Sequence, residues 1–156
     1  EFEVLMQKIR LDFAKNPSID EALKKYNETD GSFTDVDYSS IQRTKWPPLE
    51  HVDRLYDFAF AYTNSKNKYY KDESLFTKIE KGLEYWHERN PWCHNWWYNQ
   101  IAEPQRLGVL LIQLRIGEKH LNTELENKIL ERIKTVWRAD EHALCKADEG
   151  SPRIGR

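Results

Sequence analysis

The sequence holds little of what would settle its chemistry at once. Its 156 residues include two cysteines, Cys93 and Cys145. Neither a CxxC spacing nor a paired His-Cys spacing accompanies them, which excludes a disulfide framework and a thiolate zinc site. One bridge between the two and a pair of ordinary buried thiols both fit the sequence. No run approaches the roughly 20 apolar residues of a membrane span, and the opening Glu1-Phe2-Glu3-Val4 is not a signal peptide. Neither sign of charge prevails: 24 Lys plus Arg against 26 Asp plus Glu leave a net charge of -2, which argues against a general nucleic-acid binder. No Ser-His-Asp arrangement, phosphate-cradling glycine loop or paired-carboxylate pattern is found. Strict two-residue alternation long enough for a strand is also missing.

What is present is a core for one domain and a heavy aromatic load. Apolar residues make up 39% and aromatic ones 13%, enough to exclude disorder. The apolar positions recur at helical spacing, so the fold class reads as all-α. Phe2, Leu5, Met6, Ile9 and Phe13 mark a first helix that stops before Asn16-Pro17. Ser18 is placed to N-cap a short helix through Ala22, Leu23 and Tyr26. From Glu28 to Trp46 the period vanishes into a long loop, functional or merely mobile. Pro47 and Pro48 then open a helix carrying Val52, Leu55, Tyr56, Ala59, Phe60 and Thr63. Another begins at Asp72 or Glu73 and shows Leu75, Phe76, Ile79, Leu83 and Trp86. Leu107 to Ile116 leave almost no polar face, which predicts a helix surrounded by protein, with Gly117 as its C-cap. The last helix runs from Asn122 to about Arg138 on a stripe of Leu125, Ile129, Ile133, Val136 and Trp137. Successive antiparallel helix pairs of this kind, one helix buried all round, build layered helical arrays and α/α rings.

Four of the six tryptophans fall between Trp86 and Trp97. The segment Asn90 to Asn99 reads as a loop leading into a helix near Ile101 to Pro104. Trp96 and Trp97 cannot both face one core, because neighbouring helical positions are turned by about 100 degrees. An exposed Trp among Asn95, Tyr98 and Asn99 suits a sugar, whose C–H face stacks on the indole while its hydroxyls meet amides. The competing reading has Trp92, Trp96 and Trp97 plugging the ends of neighbouring helices. His87 and His94 have a poor spacing for a metal. Asp140-Glu141-His142 with Cys145 reads as a solvated helix end. Glu103 and Arg106, three apart at a helix start, read as a local ion pair or as a Glu that complements the helix dipole.

The run Asn95-Trp96-Trp97, then Ile101-Ala102-Glu103-Pro104, then Leu107-Gly108 and an apolar helix, resembles the N-terminal catalytic-domain motif of family 8 polysaccharide lyases, the hyaluronate, chondroitin AC and xanthan lyases. The helix after Trp46-Pro47-Pro48 and the helix ending in Tyr85-Trp86 agree with it. The resemblance covers most of the chain, 1–156, and its specific part is the motif. It implies an incomplete α/α toroid, here its N-terminal portion, whose cleft binds an acidic polysaccharide of the glycosaminoglycan type. It implies cleavage by β-elimination, with an amide neutralising the uronate carboxylate and Tyr or His moving the protons. Carried over, Asn95, Trp96 and Trp97 bind substrate. The family's catalytic Asn, His, Tyr and Arg follow this motif, so no catalytic residue, metal or cofactor is expected within the chain, and the chain by itself is expected to be inactive. Its expected partners are the glycan and the remainder of its own toroid, with neither nucleic acid nor membrane, and an uncovered apolar face would favour self-association. Location is expected to be secreted or periplasmic. From a different class, a non-catalytic helical module binding carbohydrate or protein fits the same helices, and an α/α-barrel hydrolase would need a carboxylate pair that nothing here marks.

Overall fold

A computed structural model describes residues 15–137 together with Val4, with 135–137 described in their backbone alone. The helix expected over 2–13, the Asp140-Glu141-His142 run and Cys145 lie outside the described residues. Within them the chain forms five α-helices: α1, Asp20–Lys25; α2, Leu49–Thr63; α3, Glu73–Arg89; α4, Glu103–Ile116; and α5, Thr123–Trp137.

Local chemistry accounts for most boundaries. The Asp72 carboxylate accepts from the Ser74 and Leu75 amides and starts α3, and the Asn122 side chain does the same for Leu125 at 2.8 Å ahead of α5, each satisfying donors that the first turn leaves open. Gly117 ends α4, its N–H returning to the Gln113 carbonyl at 3.0 Å. The start of α1 departs from expectation. Ser18 does not cap it; Ile19 holds that position without a side-chain hydrogen bond. Ile19 is buried at 2% exposure, and burial of that side chain outweighs the capping hydrogen bond that Ser18 would supply.

Ion pairs and hydrogen bonds fix the helix directions. Tyr62 at the end of α2 donates to Glu73 at the start of α3, while His51 in the first turn of α2 meets the Gly82 carbonyl midway along α3. These helices are therefore antiparallel. Arg115 near the end of α4 pairs with Glu126 in the first turn of α5, and Glu103 at the start of α4 with Arg132 late in α5, so this pair is antiparallel too. Between pairs the sense is the opposite. Asp53 contacts Arg106 near the starts of α2 and α4, and Thr63 accepts from Gln113 near their ends at 2.6 Å. The result is two layers, α2 beside α4 and α3 beside α5, with contacts α2 to α3, α2 to α4, α3 to α5 and α4 to α5. α2 and α3 touch closely at Gly82, where an added Cβ would lie 2.6 Å from a Leu55 methyl. Among the described residues, α4 is buried on several sides, though Val109, Ile112 and Ile116 remain half-buried.

The long loop after α1 is packed despite its lack of pattern. Tyr26 and Phe33 form an isolated antiparallel bridge, and Phe33 is 1% exposed. Gly31 adopts φ +83°, where an added Cβ would meet the Lys81 carbonyl oxygen at 2.6 Å, so only glycine fits. The loop is held to the helices by His51, fully buried. Its Nε2–H donates to Gly82 O and its Nδ1 accepts from the Tyr38 hydroxyl, both at 2.8 Å. The Tyr38 oxygen in turn accepts from the Phe33 amide at 2.9 Å. This arrangement requires a neutral ring, and burial pushes the His51 pKa down to about 4. Between that value and the ordinary 6.5 the unfolded chain binds a proton that the folded chain refuses, so stability is full above pH 6.5 and falls with acidification toward pH 4, by about 3 kcal/mol. Chemical denaturation should show this slope between pH 6.5 and 5, and His51→Gln should remove it while lowering stability at pH 7.

Candidate functional site

The tryptophan motif folds earlier than its sequence suggests. Helical structure begins at Trp96, passes through a π-helical segment over Tyr98–Ala102 and continues into α4. The expected loop through Asn99 is corrected to a loop ending at Asn95. Two amides impose this. Asn95 Oδ1 accepts from the Trp97 amide at 3.1 Å, as an N-cap does. Asn99, fully buried, accepts from Cys93 N at 3.0 Å and donates to Cys93 O at 2.6 Å. The π segment also answers a problem set by Pro104, which offers no N–H and whose ring would press on the carbonyl four residues back. A wider turn there, with the Glu103 amide reaching back to Tyr98 O, lets one helix run through the proline.

Beneath the motif lies a buried ion pair. Glu103 is 1% exposed and accepts from Arg132 Nε and, at 3.2 Å, from Nη2. The Trp86 indole N–H donates to the same carboxylate at 2.9 Å. Arg132 extends its remaining donors to Asn90 Oδ1 and, at 2.9 Å, to Pro91 O, and its guanidinium stands 5.5 Å from the Trp86 ring centre. The local Glu103–Arg106 pair expected from spacing does not form. Arg106 instead pairs with Asp53 and donates to Ala102 O at 3.1 Å.

A cleft of about 340 Å³ opens beside the motif, lined among others by Lys45, Trp46, Glu50, Asp53, Trp97 and Arg106. A series of ring contacts leads from the core to its wall. His51 stacks on Trp86 at 5.3 Å, Trp86 meets the edge of Trp46 at 6.2 Å, Trp46 meets Tyr98 at 5.9 Å, and Tyr98 meets Trp97 at 5.2 Å. Trp46 and Trp86 are core residues at 3% and 0% exposure, whereas Trp96 and Trp97 stand out at 50% and 43%. The third residue of the predicted site differs from these two. Asn95 Nδ2 donates to Arg43 O at 2.9 Å, so both ends of its amide already bind protein. Burial pushes the Asp53 carboxyl up against the pull of the Arg106 guanidinium. Cys93 is a free, buried thiol, raised in pKa by burial. Among the described residues no three His, Cys, Asp or Glu side chains gather as a metal would require, and no helix is long and apolar enough to cross a membrane.

The sequence profile of "polysaccharide lyase family 8, N terminal alpha-helical domain" matches residues 1–151. The chain belongs to this family. Chondroitinase-AC of Pedobacter heparinus is 38% identical over 136 residues, which are 85% of this chain and 19% of that protein. A solved structure of chondroitinase AC lyase, determined with oligosaccharides, superposes with a TM-score of 0.78 at 36% identity, covering 85% of this chain and 20% of the other. The chain thus spans about a fifth of the length of these family members. Its two antiparallel helix pairs are the N-terminal part of the family's α/α toroid.

Sequence reasoning singled out the exposed tryptophans but missed Lys45, the Asp53–Arg106 pair and the Glu103–Arg132 pair. The last two ion pairs join positions 53 and 29 residues apart, and no local pattern signals such partners. Removing Arg132 strands a buried carboxylate, so Arg132→Met should cost about 3–5 kcal/mol in urea unfolding. Adding Glu103→Gln, which keeps an acceptor for the Trp86 indole, should return much of that loss.

Proposed function

We propose that this chain forms part of the glycan-binding cleft of a polysaccharide lyase that cleaves a uronic-acid-containing polymer of the chondroitin type by β-elimination. The observation that carries the reading is the exposure of two adjacent indoles, Trp96 at 50% and Trp97 at 43%, on a rigid helical turn beside a cleft. Large exposed aromatic faces cost hydration free energy and are kept where a ligand covers them. Trp97 and Trp96 stack on sugar rings in this reading. Asn95 acts by holding the turn, since its amide already binds Trp97 N and Arg43 O.

The reaction itself needs a group that neutralises the uronate carboxylate, because removing the adjacent proton otherwise places a second negative charge beside the first. A base takes that proton and an acid returns one to the leaving glycosidic oxygen. None of these roles is assigned to a residue of this chain. Identity to a chondroitinase supports the chondroitin-type substrate, and a secreted or periplasmic setting, where such a polymer is met, is part of the proposal. The remainder of the toroid is proposed to cover the open face of the π segment and α4, where Ile101 is 39% exposed and a Cβ on Gly108 would meet nothing within 4 Å among the described residues.

Titration of the chain with chondroitin oligosaccharides should change its tryptophan fluorescence. Trp96→Ala and Trp97→Ala should each weaken binding by about tenfold, with helicity by circular dichroism unchanged. A wild-type chain that shows no response, or variants that bind as well as wild type, would end this reading.

A further inference from the structure

Lys45 sits on the cleft with a conformation that its residue type disfavours. Its φ is +50°, the left-handed region in which a side chain crowds the following carbonyl. Glycine would occupy that position without strain, yet the chain places a long cation there. Strain of this sort persists where the surroundings impose it, and it concentrates at ligand sites. The surroundings are explicit. On one side Arg43 O is tied to Asn95; on the other, Trp46 is locked by its indole N–H to Ser40 O at 3.2 Å and by the rings of Trp86 and Tyr98. The turn that carries Lys45 is therefore fixed relative to Trp97, which lines the same cleft.

The charges of the cleft lead to the same residue. Asp53 pairs with Arg106 and Glu50 with Arg54. Lys45 is exposed, and its ammonium pairs with no carboxylate among the described residues. Glu50 shares Arg54 with Asp35, so the two cations and two carboxylates of the cleft lining balance. Among the described residues Lys45 is the lining cation whose ammonium has no carboxylate partner, on the same cleft that the exposed Trp97 lines. That combination recognises a ring with an anionic substituent: the indole takes the C–H face and the ammonium takes the charge.

We propose that Lys45 is a specificity-determining residue that pairs with an anionic group, a uronate carboxylate or a sulfate ester, on the sugar chain stacked at Trp97. This inference rests on the glycan-binding reading above. The strained backbone is the cost of placing the ammonium there, so relieving the strain and keeping the function are incompatible.

Isothermal titration calorimetry on wild type, Lys45→Gln, Lys45→Gly, Lys45→Arg and Trp97→Ala tests this, with unsulfated chondroitin, chondroitin sulfate and carboxyl-reduced unsulfated chondroitin oligosaccharides of equal length. Lys45→Gln and Lys45→Gly should bind the anionic ligand about three- to tenfold more weakly, with Lys45→Arg near wild type. Lys45→Gly should at the same time melt about 2–4 °C higher. The carboxyl-reduced glycan should bind Lys45→Gln and wild type equally. A Lys45→Gln deficit on unsulfated chondroitin identifies the carboxylate as the partner, and a deficit confined to the sulfated glycan identifies the sulfate. If Lys45→Gln matches wild type on both anionic glycans while Trp97→Ala is impaired, the Lys45 proposal is overturned and the aromatic site stands. If wild type binds none of the glycans, or Trp97→Ala binds as wild type does, the aromatic site fails and this proposal goes with it.

Discussion

Glu103 places a carboxylate where almost no water reaches it, and the geometry of the site follows from what that group demands. A buried carboxylate is tolerable only if its oxygens are filled by good donors. Here Arg132 supplies two and the Trp86 indole a third. Arg132 comes from α5, Trp86 from α3 and Glu103 from α4, so one satisfied charge brings three helices together. The spare donors of Arg132 then reach Asn90 and Pro91, which sets where the chain leaves α3 and enters the tryptophan loop. A buried ion pair adds little net stability compared with an apolar replacement. Its effect here is on direction, since a one-residue slip of α4 would leave the charge unanswered.

The ring contacts explain why Trp97 faces outward while Trp46 and Trp86 do not. His51, Trp86, Trp46 and Tyr98 occupy the interior in sequence, each against the edge or face of the next, and Tyr98 ends that series. Trp97, one position earlier on the helix, is turned away by about 100 degrees and meets Tyr98 nearly at right angles, 85°. The series begins at a histidine that must stay neutral, because a charged His51 would lose the hydrogen bond accepted from Tyr38, with Asp30 favouring the charged form only weakly against burial. Tyr85 and Phe33 pack on that ring as well, and Arg54, whose guanidinium stands 4.8 Å from the Phe33 ring centre, disfavours its protonation further. The long loop is thus held by a ring that couples Phe33 and Tyr38 to α2 and α3.

Those features that depend on neighbours in sequence were legible, and those that depend on distant partners were not. Asp72, Asn122 and Gly117 announce helix ends because capping is local. The spacing of Val52, Leu55 and Ala59, or of Leu125 and Ile129, gives the buried faces directly. The motif's resemblance to the family carried the toroid and the exposed tryptophan pair. Ser18 misled because burial of Ile19 outweighs a capping side chain. Glu103 and Arg106 sit at ideal spacing for each other, yet each finds a better partner across the fold, since burial rewards full satisfaction of the carboxylate over a local contact. The helix start at Trp96 was hidden because Pro104 looks like a helix opening, and only a widened turn lets helical structure precede it.

That last case shows how the site differs from the rest of the chain. Along α2, α3 and α5 propensity, pattern and capping agree, which is the usual condition for a well-determined fold. Around the cleft they conflict: Pro104 lies within a continuous helical run, a π segment interrupts the ladder, and Lys45 adopts a left-handed backbone. Lys71 and Glu118 share that backbone conformation but serve only as helix junctions. Each irregularity at the cleft acts on where an aromatic or charged side chain points. The two helix layers provide the stability, and a short stretch that departs from local preference uses it to hold Lys45, Trp96 and Trp97 in fixed positions at the surface.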